Sequence, residues 1–389
     1  MHSLKLIISK LKYFAPVWVF SSLNFIIGTW VLYIPYVKEK LELNDSEIGL
    51  ALFCLALGVL LFIPTVPFLS KKIGVGRYTL IGVILFSIAF IFPLIANSYL
   101  LLCIALFVVG IFSGTTDVSM NALISEIEKR DSCNFMSAAH GFFSLGGALG
   151  AILGSLLMPF FSHPVYHMVV MSLFIILINI VLGKHYIAIV EHLTSKQKSS
   201  YQIRSLKPLL AIAFLAFVIM SSEGAIEHWS TLYFIEVVKI VQKNLAGIGF
   251  IVFSITMMLG RFFADKISEK IGSLKIILFG CILASMGYLC ILVTSFIFTI
   301  IGFSILGLGL SVIIPELFRI AGKVEGVKAS VGISFVSGVG FIGFLLGPVI
   351  LGYVSNTFSL KISFFVLMFL TFVALLVSLF KLKREKTSS

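Results

Sequence analysis

The acidic side chains embedded in apolar sequence are the residues of this chain best suited to chemistry. In GTTDVSMNALISE, Gly114 to Glu126, Asp117 stands near the end of a long apolar run, and Asn121 follows four residues later. Residues four apart share one face of a helix, so the carboxylate and the amide point the same way. A second pair with this spacing, Glu223 and Glu227, lies in SSEGAIEHW beside His228 and Trp229. A charged side chain in the middle of a bilayer costs roughly 2.5 to 3.5 kcal/mol on insertion scales, so each acid needs a partner, a hydrated crevice or a proton. Two roles follow from that: reversible proton binding, or hydrogen bonds that tie helices together.

Glu223, near the centre of its run, is the foremost candidate for a proton site, and Gly224 after it permits a kink or a close helix approach. Asp117 and Glu227 are further proton-coupling candidates; Glu227 is expected nearer the interface, where solvation alone is the alternative account, and His228 is expected to be interfacial. Counted from the helix ends, Asn121 and His140 lie at one shallow depth and Asp117 and Ser144 about a turn deeper, which predicts a polar cluster of these four. Glu316 and Arg319 have the spacing of an intrahelical ion pair. His163 and His167 in HPVYH are spaced like metal ligands, but Pro164 disfavours a helix through them and no acid is near, so an outer loop is expected and no metal. The five cysteines form no C-x-x-C pair and are expected to be packing residues. With no phosphate-binding loop or nucleophile motif, neither an enzyme nor a cofactor is expected.

These residues must be held by membrane helices. The chain has 389 residues, 59% hydrophobic and 12% charged, and a mean hydropathy of +1.12. That excludes an ordinary soluble domain. The apolar runs are about 20 residues long and lack the ten-residue alternation of an outer-membrane barrel. Twelve spans are predicted, near 14–37, 47–70, 76–96, 99–126, 137–160, 164–184, 208–236, 243–265, 274–294, 296–319, 328–352 and 360–381. The net charge of +12 sorts by loop. One side receives Lys5, Lys10, Lys12, Lys71, Lys72, Arg77, Lys129 and Arg130, the basic residues of the linker and tail, the group from Arg261 to Lys275, and Arg319, Lys323 and Lys328. The other receives only Lys38, Lys40, Lys239, Lys243 and Lys361. By the positive-inside rule both termini are cytoplasmic, and the excess is a topology signal and a contact for anionic lipid rather than for nucleic acid. The first apolar run is too long for a signal peptide and lacks a cleavage site, so it is expected to remain as span one.

The sequence also repeats. IGLALF at Ile48 recurs as IGFIVF at Ile248, WVLY at Trp30 loosely as WSTLY at Trp229, and KKIG at Lys71 as EKIG at Glu269. Gly147, Gly150 and Gly154 match Gly340, Gly343 and Gly347, with offsets between 193 and 200 residues. Such glycine rows serve close helix packing. The order is kept and each half has six spans, so two bundles of like orientation are expected: 1–183, then a cytoplasmic linker 184–207, then 208–389.

Twelve spans in two like-oriented sixes, with a short basic loop after the second span of each half, resemble the major facilitator superfamily over the whole chain. GRFFADKISEKIG, Gly260 to Gly272, fits a signature of that family, whereas PFLSKKIGVGR, Pro67 to Arg77, places Lys71 where an acid is expected. GTW, DVSMN, HGFFSLGG and EGAIEHW together are similar to bacterial inner-membrane permeases related to the fucose-proton symporters. The resemblance implies an all-α major facilitator fold and secondary transport by alternating access. It implies a gating loop of Lys71, Lys72, Arg77, Arg261 and Asp265, weighted toward Arg261 and Asp265. Spans one and seven line the path in this family, so Asn24, Trp30 and Trp229 are further cavity candidates with Asn121, His140 and Ser144. Trp30 and Trp229 would occupy comparable places in the two repeats, either as an aromatic wall suited to a sugar-like solute or in helix packing. The expectation is a monomeric, proton-coupled symporter of a small polar solute in the cell inner membrane, with proton-coupled efflux of cationic or amphipathic compounds as the alternative. Span five lacks the glycine-proline motif of many drug-proton antiporters, which favours the first.

Overall fold

A computed structural model describes residues 2–190, 207–324, 327 and 329–388, with the side chains of Ser137, 264–267, 269 and 383–388 among those left out. The described residues form helices and no strands. Twelve helices among them are long and apolar enough to cross a membrane. They are Leu11–Lys40, Asp45–Ile73, Val75–Ile95, Tyr99–Asp131, Ala138–Phe160, Pro164–Gly183, Lys207–Glu236, Lys243–Phe263, Ser273–Leu292, Phe296–Ala321, Val331–Thr357 and Leu360–Leu382. Apolar length fixes their number, because a lipid-exposed backbone must satisfy its hydrogen bonds within a helix. The protein is therefore an all-α, multi-pass membrane protein.

The chain divides into two compact units, 1–196 and 197–389. Within the first, span one packs chiefly on span five, span four on spans two and three, and span six on spans three and one. Within the second, span seven packs on span eleven, span ten on spans eight and nine, and span twelve on spans nine, seven and eleven. Each contact of one unit thus recurs in the other six spans later.

Glycines set the close approaches. A Cβ at Gly150 would lie 2.0 Å from the Phe25 carbonyl oxygen, and one at Gly343 would lie 2.3 Å from that of Phe217. Only a residue without a side chain lets those backbones meet. The contacts also recur in register, about one turn from the glycine match of the sequence: Gly146 on Ser21, Gly150 on Phe25 and Gly28 on Gly147 match Gly343 on Phe217, Gly347 on Ser221 and Gly224 on Phe344, at offsets of 196 and 197 residues. Trp30 corresponds in that register to Ile226, not to Trp229, so the expected equivalence of the two tryptophans is corrected. The loose WVLY match misled because its offset of 199 is nearly one helical turn out of step with the packing.

Two further expectations change. Span six begins at Pro164, and His167 in its first turn is completely buried, not on a loop. Proline is favoured in the first turn of a helix, where its missing N–H costs nothing. The Tyr33 hydroxyl lies 2.6 Å from His167 Nδ1 and ties span one to span six. Span seven is continuous through Gly224, whose role is close approach: a Cβ there would lie 2.4 Å from the Phe344 carbonyl oxygen. Of the linker, residues 191–206 lie outside the described residues.

Candidate functional site

In the second unit the site is built on span seven. Arg261 of span eight donates through Nη2 to Glu223 Oε1 at 3.0 Å, with 17% and 18% of the two side chains exposed. Arg261, expected in a gating loop, forms an ion pair between two spans. The spacing of Arg261 and Asp265 was legible in the sequence, but the partner 38 residues away was not. The Asp265 side chain lies outside the described residues.

One turn after Glu223, Glu227 is buried, with 8% of its surface exposed. No hydrogen-bond donor or cation pairs with its carboxylate among the described residues. The expectation that interfacial solvent accounts for Glu227 is therefore corrected. His228 is also buried, and its Nδ1–H donates to the Gly224 carbonyl at 2.8 Å within its own helix. Trp229 is fully buried, and its indole N–H donates to the Pro348 carbonyl on span eleven at 3.1 Å. That contact commits Trp229 to helix packing.

In the first unit, Asp117 of span four is half-buried, and its carboxylate has no partner among the described residues. Asn121 turns its amide back to the Asp117 carbonyl at 2.8 Å. The expected cluster with His140 and Ser144 is not the packing found: span five lies against span one, where the exposed His140 ring meets Phe20 edge-on at 5.2 Å. Ser144 is buried. Asn24 donates through Nδ2 to the Phe143 carbonyl at 3.0 Å, which leaves its buried Oδ1 as an acceptor without a donor. Trp30 is buried against Phe90, with ring centroids 5.8 Å apart, and borders a small apolar crevice with Leu52 and Leu106.

The chain ends of the first unit are tied electrostatically. Lys12, at the start of span one, donates to Asp131 at the end of span four at 2.9 Å, and Arg130 joins the same carboxylate at 3.0 Å. Counted from that tie at about 1.5 Å per residue, Asn24 and Asp117 lie at nearly one depth, about 18 and 21 Å in. In the second unit Glu316, 1% exposed, pairs with Arg319 at 2.9 Å, and Arg319 also reaches Ser268. Lys71, Lys72 and Arg77 are exposed and have no acid partner among the described residues.

Twelve membrane-crossing helices in two units of matching packing, with acids and an arginine held between helices, define a polytopic transport protein. The sequence model of the Major Facilitator Superfamily matches residues 17–324 and again 241–389, and the chain belongs to that superfamily of transporters. An uncharacterised MFS-type transporter of Yersinia pestis is 28% identical over 339 residues, covering 87% of each chain. The membrane protein MosC of Rhizobium meliloti is 29% identical over 362 residues, covering 90% of this chain and 85% of its own. The quinolone resistance protein NorA of Staphylococcus aureus is 23% identical, covering 84% and 85%. Among solved structures, the nucleoside transporter NupG superposes with a TM-score of 0.72 at 12% identity, covering 95% of this chain and 98% of its own. That likeness concerns the fold alone.

Proposed function

We propose that the protein is a proton-coupled symporter that imports a small polar solute by alternating access. The observation that carries this is the unequal pairing of two acids on one face of span seven. Glu223 has Arg261 as its counter-charge, whereas Glu227, a turn away and buried, has none among the described residues. A proton on Glu227 removes a buried charge that nothing else among the described residues compensates, so its arrival and departure change the relative energy of two conformations. Asp117 is a second acid without a partner among the described residues, in the other unit. Asn24 Oδ1 and the Asp117 carboxylate are both acceptors lacking donors among the described residues, which suits a solute rich in hydroxyl or amine groups, such as a sugar-like compound. The side-chain packing of Trp30 and Trp229 lends no support to an aromatic wall. The lysine and arginine asymmetry of the loops supports an inner-membrane orientation with both termini cytoplasmic.

The similarity to NorA favours a second reading, proton-coupled efflux of cationic or amphipathic compounds, with Asp117 and Glu227 as cation-binding groups. One experiment separates the two. Purified protein in proteoliposomes, given an inward proton gradient, is challenged with sugars, nucleosides, amino acids and lipophilic cations while charge movement is recorded. Import predicts an inward current with a polar solute; Glu227→Gln and Glu223→Gln lose accumulation while counterflow exchange survives. Accumulation that persists in both variants refutes the proton-site assignment. Proton release on adding a lipophilic cation, with silence for polar solutes, replaces import by efflux.

A further inference from the structure

We infer that the end of the first unit carries a binding site for the phosphate headgroup of an anionic membrane lipid, formed by Lys71, Lys72, Arg77 and Lys184. The backbone gathers these residues. Gly74, at φ +90°, ends the helix that carries Lys71 and Lys72, and Val75 begins the next. The segment that follows span six then folds back along this turn. Gly76 N–H donates to the Ile189 carbonyl at 3.0 Å, and a Cβ at Gly76 would lie 1.9 Å from the Tyr186 carbonyl oxygen. Gly183 meets Leu80 at the other end of the strip. Lys184 is thereby laid beside the helix turn that bears Arg77. The GVG at Gly74 to Gly76 is explained by this docking, for which the sequence offered no partner.

All four cations are exposed, and none has an acid partner among the described residues. The sequence contains no Asp or Glu from Ile48 to Thr116 or from Ser132 to Val190, so both contributing segments are free of acid. Two polar atoms of the docked segment, His185 Nε2 and the hydroxyl of the buried Tyr186, also lack a hydrogen-bond partner among the described residues. Beside the cations stand exposed apolar side chains: Phe68 at 72%, Ile73 at 38%, Ile187 at 37% and Val190 at 52%. Cations bordered by exposed apolar groups, at the ends of membrane helices, match a ligand with an anionic head and acyl chains. A free phosphate would use only the first of these features. Lysine and arginine near a membrane surface each attract anionic lipid, and the effect is worth roughly fivefold in affinity per charge.

The test reads binding and is independent of transport. Purified protein in neutral detergent is titrated with dioctanoyl phosphatidylglycerol, dioctanoyl phosphatidylcholine or inorganic phosphate while its thermal unfolding is followed. Phosphatidylglycerol is expected to raise the unfolding temperature saturably at low salt, and phosphatidylcholine and phosphate to do so much less. Lys71→Gln with Lys72→Gln should weaken half-saturation at least tenfold. Arg77→Gln with Lys184→Gln, a second pair that keeps the proposal testable where the first folds poorly, should do the same. Lys239→Gln with Lys361→Gln, exposed lysines outside the cluster, should leave the response unchanged. Equal responses to phosphatidylcholine, or unweakened binding in both cluster variants, overturn the site, and an equal response to phosphate overturns its assignment to lipid.

Discussion

Replacing Arg261 by Gln removes the cation that holds Glu223. The pair is 3.0 Å apart, with about a sixth of each side chain exposed. Removing one partner of a buried ion pair costs about 3–5 kcal/mol, since the other charge is left uncompensated. Residual solvent contact screens part of that, so about 3 kcal/mol is expected for Arg261→Gln. Glu223→Gln should cost less, about 1–2 kcal/mol, because the long arginine side chain can swing its charge toward water. The double variant carries neither charge and should be destabilised by no more than about 1 kcal/mol, which corresponds to a coupling of about 3–5 kcal/mol between the two sites. The assay is chemical unfolding of the purified protein in detergent, followed by tryptophan fluorescence, for all four members of the cycle. Additive single effects, with coupling below about 0.5 kcal/mol, would refute the claim that Glu223 is held by span eight.

The glycine register makes a paired prediction. Gly150→Ala, whose Cβ would meet the Phe25 carbonyl at 2.0 Å, should destabilise by about 1–3 kcal/mol, whereas Gly338→Ala, with nothing within 4 Å, should be neutral or stabilise by up to about 1 kcal/mol in thermal unfolding. Tyr33→Phe strips His167 Nδ1 of its buried partner and should cost about 1–3 kcal/mol, and adding His167→Phe should recover much of that loss in the same measurement. Trp229→Phe keeps the packed ring but leaves the Pro348 carbonyl without its donor, for a loss of about 1 kcal/mol; a loss indistinguishable from zero would return Trp229 to the list of cavity residues.

The division between what was legible and what was not follows the range of the interactions. Span number, helical class, the two-fold repeat and the glycine packing rows were readable, because apolar length and small-residue spacing are local in sequence and the bilayer allows few other outcomes. The i, i+4 acids on span seven and the i, i+3 pair Glu316 and Arg319 were readable for the same reason. Pairing between spans was not. Which cation Glu223 meets, which carbonyl Trp229 and Asn24 reach, and that His167 is enclosed with Tyr33 depend on how helices far apart in sequence are rotated against one another. A rotation of one residue turns a side chain by about 100°, and no local pattern fixes that angle. The register of the repeat illustrates both sides: the sequence alone determined that spans one and seven correspond, and only the contacts of Gly146 with Ser21 and Gly150 with Phe25, repeated by Gly343 with Phe217 and Gly347 with Ser221, decided which residues do, because these close approaches recur together at one offset.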